Sequence, residues 1–381
     1  MNQGIIPPII LEHAAKNART QAEREAARRT LILSEIAREQ REQAAVEPNE
    51  GEQRRGHDAE AKTILPGILV RSEDQPPTSD QDVDEAYDGA GSTYAYYLTV
   101  HGRRSFDNQG ATLISTTNYD RDFDNAFWNG RQMAYGRGRI FNSFTRDFSV
   151  IAHELTHAVT QYTANLVYRD EPGALNEHVS DAFAALAEQW VRGQTAADGS
   201  WLIGAKLMEG KVNGRALRDM RHPGTAYDDP VIGRDPQPDH MDRYNPTPQD
   251  NGGVHINSGI PNRAFAEACL ARGGFAWETV GQIWYDTLTK RLTPTSNFGE
   301  CAAATLRAAD ALFGPTSVEH EAVLHGWRTV GVDPAARPVP EPDPEEPSPC
   351  FDLIRDPELV DLLRQVARHP IVRRLFLGAQ R

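Results

Sequence analysis

Two histidines four residues apart, His153 and His157, enclose Glu154 in the run His-Glu-Leu-Thr-His. On a helix, residues four apart share a face, so both imidazoles can reach one ion while Glu154 holds a water beside it. A catalytic Zn2+ takes three protein ligands and keeps a fourth position open. The third is expected from Gly173-Ala174-Leu175-Asn176-Glu177-His178-Val179-Ser180-Asp181, which follows a turn containing Pro172 and reads as the start of an antiparallel partner helix. Glu177 completes a His2Glu set from there. Its rival is His178, which helical geometry turns about 100° away from Glu177. One turn on, Asp181 can accept the free ring N–H of His153, and Asn176 can serve His157 in the same way.

That constellation implies a metal-polarised carbonyl attacked by water. Glu154 takes the proton and passes it to the leaving amine. The tetrahedral intermediate needs donors for its oxyanion, and Tyr168 and His255 are the candidates, with Asp250 orienting His255.

The elements that must position these groups form an α+β arrangement. From about Lys62 to Val332, aromatic-rich, Gly/Asn-punctuated stretches alternate with helices. Thr93 to Tyr97 and Val150 to Tyr162 carry helical patterns, and Thr112 to Thr117 alternates like a strand. After Gly259 the pattern is helical through Ala264 to Arg272, Trp277 to Leu292 and Cys301 to Phe313. We therefore expect a mixed, β-rich N-terminal lobe over residues 51–165, carrying the His-Glu helix. A helical C-terminal lobe is expected over 166–332, with the active-site cleft between the two.

Three stretches lie outside that body. Residues 1–50 hold an apolar Pro-bearing segment, Gly4 to Leu11, and then an Ala/Arg/Glu-rich helical stretch, His13 to Ala45. Polar residues Glu47 to Glu60 read as an exposed, cleavable connector. Residues 333–349 form a Pro/Glu linker, and 350–381 a tail with one apolar helical face.

Composition bounds the function. With 39% apolar residues, the 381-residue chain can bury a sizeable core. A formal charge of −14 disfavours nucleic acid and anionic membranes, both of which need a basic face. Three widely spaced cysteines, without a CxxC pair, give no support to thiolate zinc or a disulfide framework. No window has the length of a membrane span. No basic-then-apolar leader opens the chain, so synthesis and storage in the cytoplasm, with non-classical secretion open, is the expectation.

HELTHAVTQYTANLVY (His153 to Tyr168), GALNEHVSD, DNAFWNG (Asp124 to Gly130), ALRDM (Ala216 to Met220), DNGGVHINSGIPN (Asp250 to Asn262) and LTPTSNF (Leu292 to Phe298) together resemble the thermolysin family of metallopeptidases. The IIPP-bearing N-terminal segment looks most like its protealysin subgroup. His2Glu is the set for which thermolysin is the standard example, so the resemblance supplies that assignment as much as the spacing does. It also implies that Asn125 and Ala126 bind substrate backbone, that Trp128 belongs to the same edge strand, and that Arg218 holds the carbonyl after the scissile bond. Phe141, Phe144, Val150, Ile203, Leu207 and Leu217 fall where the family lines an apolar pocket, which implies cleavage before Leu, Ile, Val or Phe.

The family's paired Ca2+ site is doubtful here. Ser149, Ser200, Leu202 and Ala205 stand where carboxylates and other oxygens are wanted, leaving Glu188 alone. The expected partners are peptide or protein substrates, residues 1–50 as an intramolecular inhibitor, and a partner for the tail. The chain is expected to act as a monomer. A rival function is a catalytically silent protease fold that binds through its tail.

Overall fold

The computed structural model describes residues 4–41 and 53–334, so the Pro/Glu linker from 335 on, the tail and connector residues 42–52 lie outside the described residues. The N-terminal segment forms two helices, α1 (Pro8–Asn17) and α2 (Gln21–Arg41). Pro8 opens α1 because a first-turn residue has no intrahelical use for its N–H.

A five-stranded sheet follows, built from β1 (Arg54–Asp58), β2 (Ile68–Ser72), β3 (Leu113–Thr117), β4 (Ala126–Trp128) and β5 (Met133–Tyr135) in the order β2-β1-β3-β5-β4. β1 runs antiparallel to β2 and parallel to β3, and β4 forms an edge antiparallel to β5. Part of the stretch expected to be an exposed connector is therefore strand. Arg54-Arg55-Gly56-His57-Asp58 reads as polar, yet Gly56 and His57 are buried. The Arg54 guanidinium lies over the Tyr87 ring and pairs with Glu73, which places its charge at the sheet's margin.

Behind the sheet runs α3 (Gln81–His101). Its N-cap Asp80 accepts from the Asp82 N–H, and it stops at Gly102 in the left-handed region. α4 (Phe148–Gln161) begins at the N-cap Asp147, and nearly every residue in it is buried. α5 (Asp170–Arg192) packs against α4 and ends at left-handed Gly193. The helical half continues through α6 (Ala205–Met208), α7 (Asp250–Asn257), α8 (Gly259–Arg272), α9 (Val280–Lys290), α10 (Phe298–Phe313) and α11 (Val318–Thr329). Two-residue strands β6 (Leu202–Ile203) and β7 (Arg218–Asp219) pair antiparallel, as do β8 (Asp228–Asp229) and β9 (Gly233–Arg234). The expected mixed half followed by a helical half is what forms, and one apolar cluster runs through both. No described helix is long and apolar enough to cross a membrane.

The edge strand β4 is held by a close approach at Gly136, whose N–H donates to the Asn125 carbonyl at 3.0 Å. A Cβ there would sit 1.9 Å from the Phe123 carbonyl oxygen, a backbone atom that can retreat only by moving the strand. Gly136→Ala is expected to lower stability by about 1–3 kcal/mol, the usual cost of overpacking. Denaturant unfolding measures it, and an unchanged midpoint would contradict the close approach.

Candidate active site

α4 presents His153 and His157 on one face, and α5 brings Glu177 against them, all three fully buried. The His153 Nε2 lies 3.5 Å from Glu177 Oε2, and the His157 Nε2 lies 3.3 Å from Glu177 Oε1. Ligand atoms around a tetrahedral ion with bonds of about 2.0–2.1 Å stand about 3.3 Å apart, so this spacing fits zinc. All three ligand atoms lie within 4.8 Å of one another, the one such group among the described residues. His153 Nε2 and Glu177 Oε2 are buried without a hydrogen-bond partner, the condition that a bound cation relieves.

The far sides of both rings are fixed. The His153 Nδ1–H donates to Asp181 Oδ1 at 2.8 Å, and the His157 Nδ1–H to Asn176 Oδ1 at 2.9 Å. The Asn176 amide is itself oriented by donation to the Leu166 carbonyl at 3.1 Å, so its oxygen must face His157. Each Nε2 is thereby left with its lone pair forward. Burial alone would raise Glu177, but the neighbouring histidines, His255 foremost, hold its carboxyl well below the usual range. Burial likewise works against a charged Asp181, and Arg218 outweighs it, keeping that carboxylate ionised. Glu154 has no such cation in contact. Burial pushes its carboxyl up to about 8, with His153 opposing and Glu177 adding to the rise.

On the opposite wall, α7 opens with Asp250, Asn251, Gly252 and Gly253 all at positive φ. Gly252 has a second requirement, since a Cβ there would meet Asp170 Oδ1 at 2.0 Å. The turn lets one carboxylate serve one residue twice. Asp250 accepts the His255 backbone N–H at 2.8 Å and its Nδ1–H at 2.6 Å. Burial would lower the His255 pKa, and Asp250 and Glu177 carry it upward instead. The Tyr168 hydroxyl donates to Glu177 Oε1 and lies 3.2 Å from His255 Nε2.

Across this site runs the chain's own N-terminus. Gly4 bridges antiparallel to Phe127, and the Ile5 N–H faces both the Ala126 carbonyl at 3.1 Å and Glu154 Oε1 at 3.2 Å. The Gly4 carbonyl is 3.0 Å from His255 Nε2, the Ile5 carbonyl accepts from Arg218 Nη1 at 3.1 Å, and the Ile6 N–H donates to Asn125 Oδ1 at 2.9 Å. Ile5 is fully buried and shares one apolar cluster with Phe141, Phe144, Val150, Ile203, Leu207 and Leu217. α2 anchors the segment. Arg29 pairs with Asp120, the Thr30 hydroxyl accepts the Asp124 N–H at 3.0 Å, and the Ser34 hydroxyl accepts from Asn125 Nδ2 at 3.2 Å.

The structure thus brings together His153, His157, Glu177, Glu154, Asp181, Asn176, Tyr168, His255, Asp250 and Arg218. Asn125 and Ala126 touch the N-terminal segment. Trp128 lies on their strand but turns its indole N–H to Gln161 Oε1 at 2.9 Å. His178 points away from the ion site, toward Asn262 and Trp284. Near the sequence's doubtful calcium positions, Glu188 pairs with Arg192 at 2.7 Å, and Ser149 hydrogen-bonds Asp147. Sequence reading passed over Gly4, Ile5 and Ile6 as individual site residues. The available signal was an apolar run ending at a Pro pair in an otherwise polar arm.

Comparison with known proteins places this geometry. Residues 39–161 match the family profile described as thermolysin metallopeptidase, catalytic domain, and residues 164–332 match its alpha-helical domain. The chain is 45% identical over 336 residues to an extracellular metalloprotease of Pectobacterium carotovorum subsp. carotovorum, covering 86% of this chain and 96% of that protein. It is 39% identical over 347 residues to protease PrtS of Photorhabdus sp. (strain Az29), covering 87% and 92%. Among solved structures, the precursor of protealysin, a metalloproteinase from Serratia proteamaculans, superposes with a TM-score of 0.80 at 43% identity. That match covers 87% of this chain and all of the other. Both halves match in order, and the buried His2Glu cluster sits where the two meet, so this chain belongs to the thermolysin family of metallopeptidases.

Proposed function

We propose that the chain is a zinc-dependent neutral endopeptidase, made as a zymogen, that cleaves on the N-terminal side of hydrophobic residues. The observation that carries this is the Gly4–Ile5 peptide unit, which lies across the His2Glu cluster as a substrate's scissile bond would. It engages Ala126, Glu154 and His255 at once, and Arg218 holds the next carbonyl, that of Ile5. Ile5 then stands for the residue after the cut, and its burial supports a pocket for an apolar side chain. Burying such a side chain contributes roughly 1.5–3 kcal/mol.

A Zn2+ held by His153, His157 and Glu177 would supply Lewis acidity toward the scissile carbonyl and lower the pKa of an attacking water to about 7. Glu154 receives the water's proton and delivers it to the departing nitrogen. Its Oε1 already faces a backbone nitrogen in that place, at 3.2 Å. His255, charged and fixed by Asp250, donates to the oxygen on which charge develops. Tyr168 turns its hydroxyl to Glu177 while the N-terminal segment is in place, beside His255 Nε2 at 3.2 Å, and would serve as the second donor once free of Glu177. Arg218 and Asn125 hold the backbone on the leaving side. Every group this chemistry requires is present, which leaves the silent-binder reading without support.

Latency follows from the same contacts. With Gly4 to Ile6 on the edge strand and Glu154 occupied, no second peptide can enter. Activation requires a cut between α2 and the strand β1. Residues 54–58 are paired on both sides, and Ala59 and Ala61 donate to Thr117 and Asn118. The cut therefore belongs before residue 54.

Matured protein should hydrolyse casein, stop in a zinc chelator and recover on adding zinc back. Chelator-resistant cleavage would sink the assignment. Glu154→Gln should lose about 10²–10⁴-fold in kcat, the range for a positioned acid–base group, while keeping its zinc. In a peptide series varied after the cut, Leu or Ile should far exceed Asp.

Ile5→Asp places a carboxylate where the apolar pocket receives Ile5. The uncut variant should open the cleft more often, by about 10- to 100-fold from the lost burial, and show matching residual activity. Activity equal to the parent zymogen would mean that Ile5 does not hold the latch.

A further inference from the structure

We propose that His178 is a positioning residue for His153 and Arg218, acting through Asn262 and Asp181, with Trp284 setting its tautomer. The proposal rests on the reading of His153 as a metal ligand. His178 follows Glu177 on α5 but faces the opposite way, into the helical half, and is fully buried. It makes no contact with the ion site that a hydrogen bond or ion pair records, so the chemistry above leaves it without a role.

Its partners form a chain with only one sense. An indole N–H can only donate, so the bond from Trp284 Nε1 to His178 Nε2, at 2.8 Å, makes Nε2 an acceptor. The ring proton must then sit on Nδ1, which donates to Asn262 Oδ1 at 2.9 Å. That bond chooses between the two orientations of the Asn262 amide. With its oxygen turned to His178, its Nδ2 donates to Asp181 Oδ2 at 2.8 Å. Asp181 collects three more bonds: the His153 Nδ1–H on Oδ1, and Arg218 through Nη2 on Oδ1 at 2.8 Å and Nε on Oδ2 at 2.7 Å. A single carboxylate thus fixes both the ring of a metal ligand and the guanidinium that grips the carbonyl after the scissile bond.

The sense of the chain matters because the alternative is repulsive. If the Asn262 amide turned over, its oxygen would face the Asp181 carboxylate. Both are fully buried, where an unmet acceptor costs most. Asp181 would have to withdraw, loosening His153 and Arg218 together. His178 prevents the flip because it offers a donor and no acceptor on that side. Trp284 is held in turn by stacking near-parallel on Trp327, at 6.2 Å between ring centroids, and by its packing against Phe265. The relay therefore ties α5, α8 and α9 to the metal ligand from behind.

The test uses the full chain and its matured form as parent, with His178→Phe, His178→Asn and Trp284→Phe. Three quantities are measured: zinc release to a chromophoric chelator, kcat and KM separately, and the unfolding midpoint. His178→Phe fills the space without a donor, and should release zinc about 10-fold faster, the scale for groups that orient metal ligands, with KM raised through Arg218. The amide nitrogen of His178→Asn can stand near the position of Nδ1. It should recover most of the zinc retention and KM while its unfolding midpoint stays below the parent's, a split that simple core filling would not produce. Trp284→Phe leaves the imidazole but frees its tautomer, and should fall between parent and His178→Phe. If His178→Phe does not fold, the Trp284→Phe and His178→Asn pair carries the comparison alone. Zinc release and KM equal to the parent's in every folded variant, whatever the loss in midpoint, would overturn the relay. A parent that holds no zinc would overturn the metal reading, and the relay with it.

Discussion

The structure depends on one unfavourable act, the burial of two imidazole nitrogens and a carboxylate against each other. An unmet buried polar atom costs about 1–3 kcal/mol, and His153 Nε2 and Glu177 Oε2 are both in that state. A divalent ion turns the same arrangement into the favourable one. Metal binding is therefore coupled to the folding of this region rather than added to a finished surface. The surrounding helices supply the rigidity that the cluster needs. α4 is buried almost throughout, α5 is its packing partner, and Asp181 and Asn176 face the backs of the two rings so that neither can turn away.

The edge strand imposes a second constraint. An unpaired edge invites another strand, and here the invitation is the function. β4 and the residue before it offer the Ala126 carbonyl and the Asn125 side-chain oxygen, and in the intact chain the Ile5 and Ile6 N–H groups donate to them. The segment alone is short, so its hold comes from elsewhere. α2 contacts Asp120, Asp124 and Asn125 through Arg29, Thr30 and Ser34 on two successive turns, and Ala37 and Leu33 close an aromatic cluster of Tyr119, Phe123 and Phe127. Tethering of this kind raises the effective concentration of a weak occupant, so in the proposed zymogen a few backbone hydrogen bonds and two buried isoleucines, Ile5 and Ile6, suffice for a latch. In the proposed activation, a cut before β1 would remove the tether and leave the contacts of His153, Glu154, His157 and Glu177 in place.

Legibility in the sequence followed the range of the interactions. His153, Glu154 and His157 were readable because a helix repeats every 3.6 residues, and Glu177, Asn176 and Asp181 because the same period governs the next helix. Asp250 and His255 stand five apart with a Gly-rich turn between. Arg218 and the pocket residues entered only through resemblance, since nothing local ties position 218 to position 181. β1 was misread as connector because its polarity is real. Arg54 pairs its charge with Glu73 and lies over Tyr87 of α3, and the strand is defined by β2 and β3 on either side rather than by alternation of its own. His178 was weighed as a ligand for want of a visible partner, and its partners lie 84 and 106 residues further on.

Those distant partners bear on how the two halves work as one enzyme. In the proposed reaction His255 and Arg218 meet a substrate whose reacting carbonyl is held from the α4 side, so their positions relative to His153 matter. The two are secured differently. His255 is held within its own turn by Asp250, five residues away, and it can follow α7 if that helix shifts. Arg218 shares a carboxylate with His153 and cannot move independently of the metal ligand. His255 meets the cluster through Tyr168, whose hydroxyl lies between it and Glu177, whereas Arg218 meets it through the carboxylate that also orients His153, so the two walls of the site are tied to the cluster by different side chains.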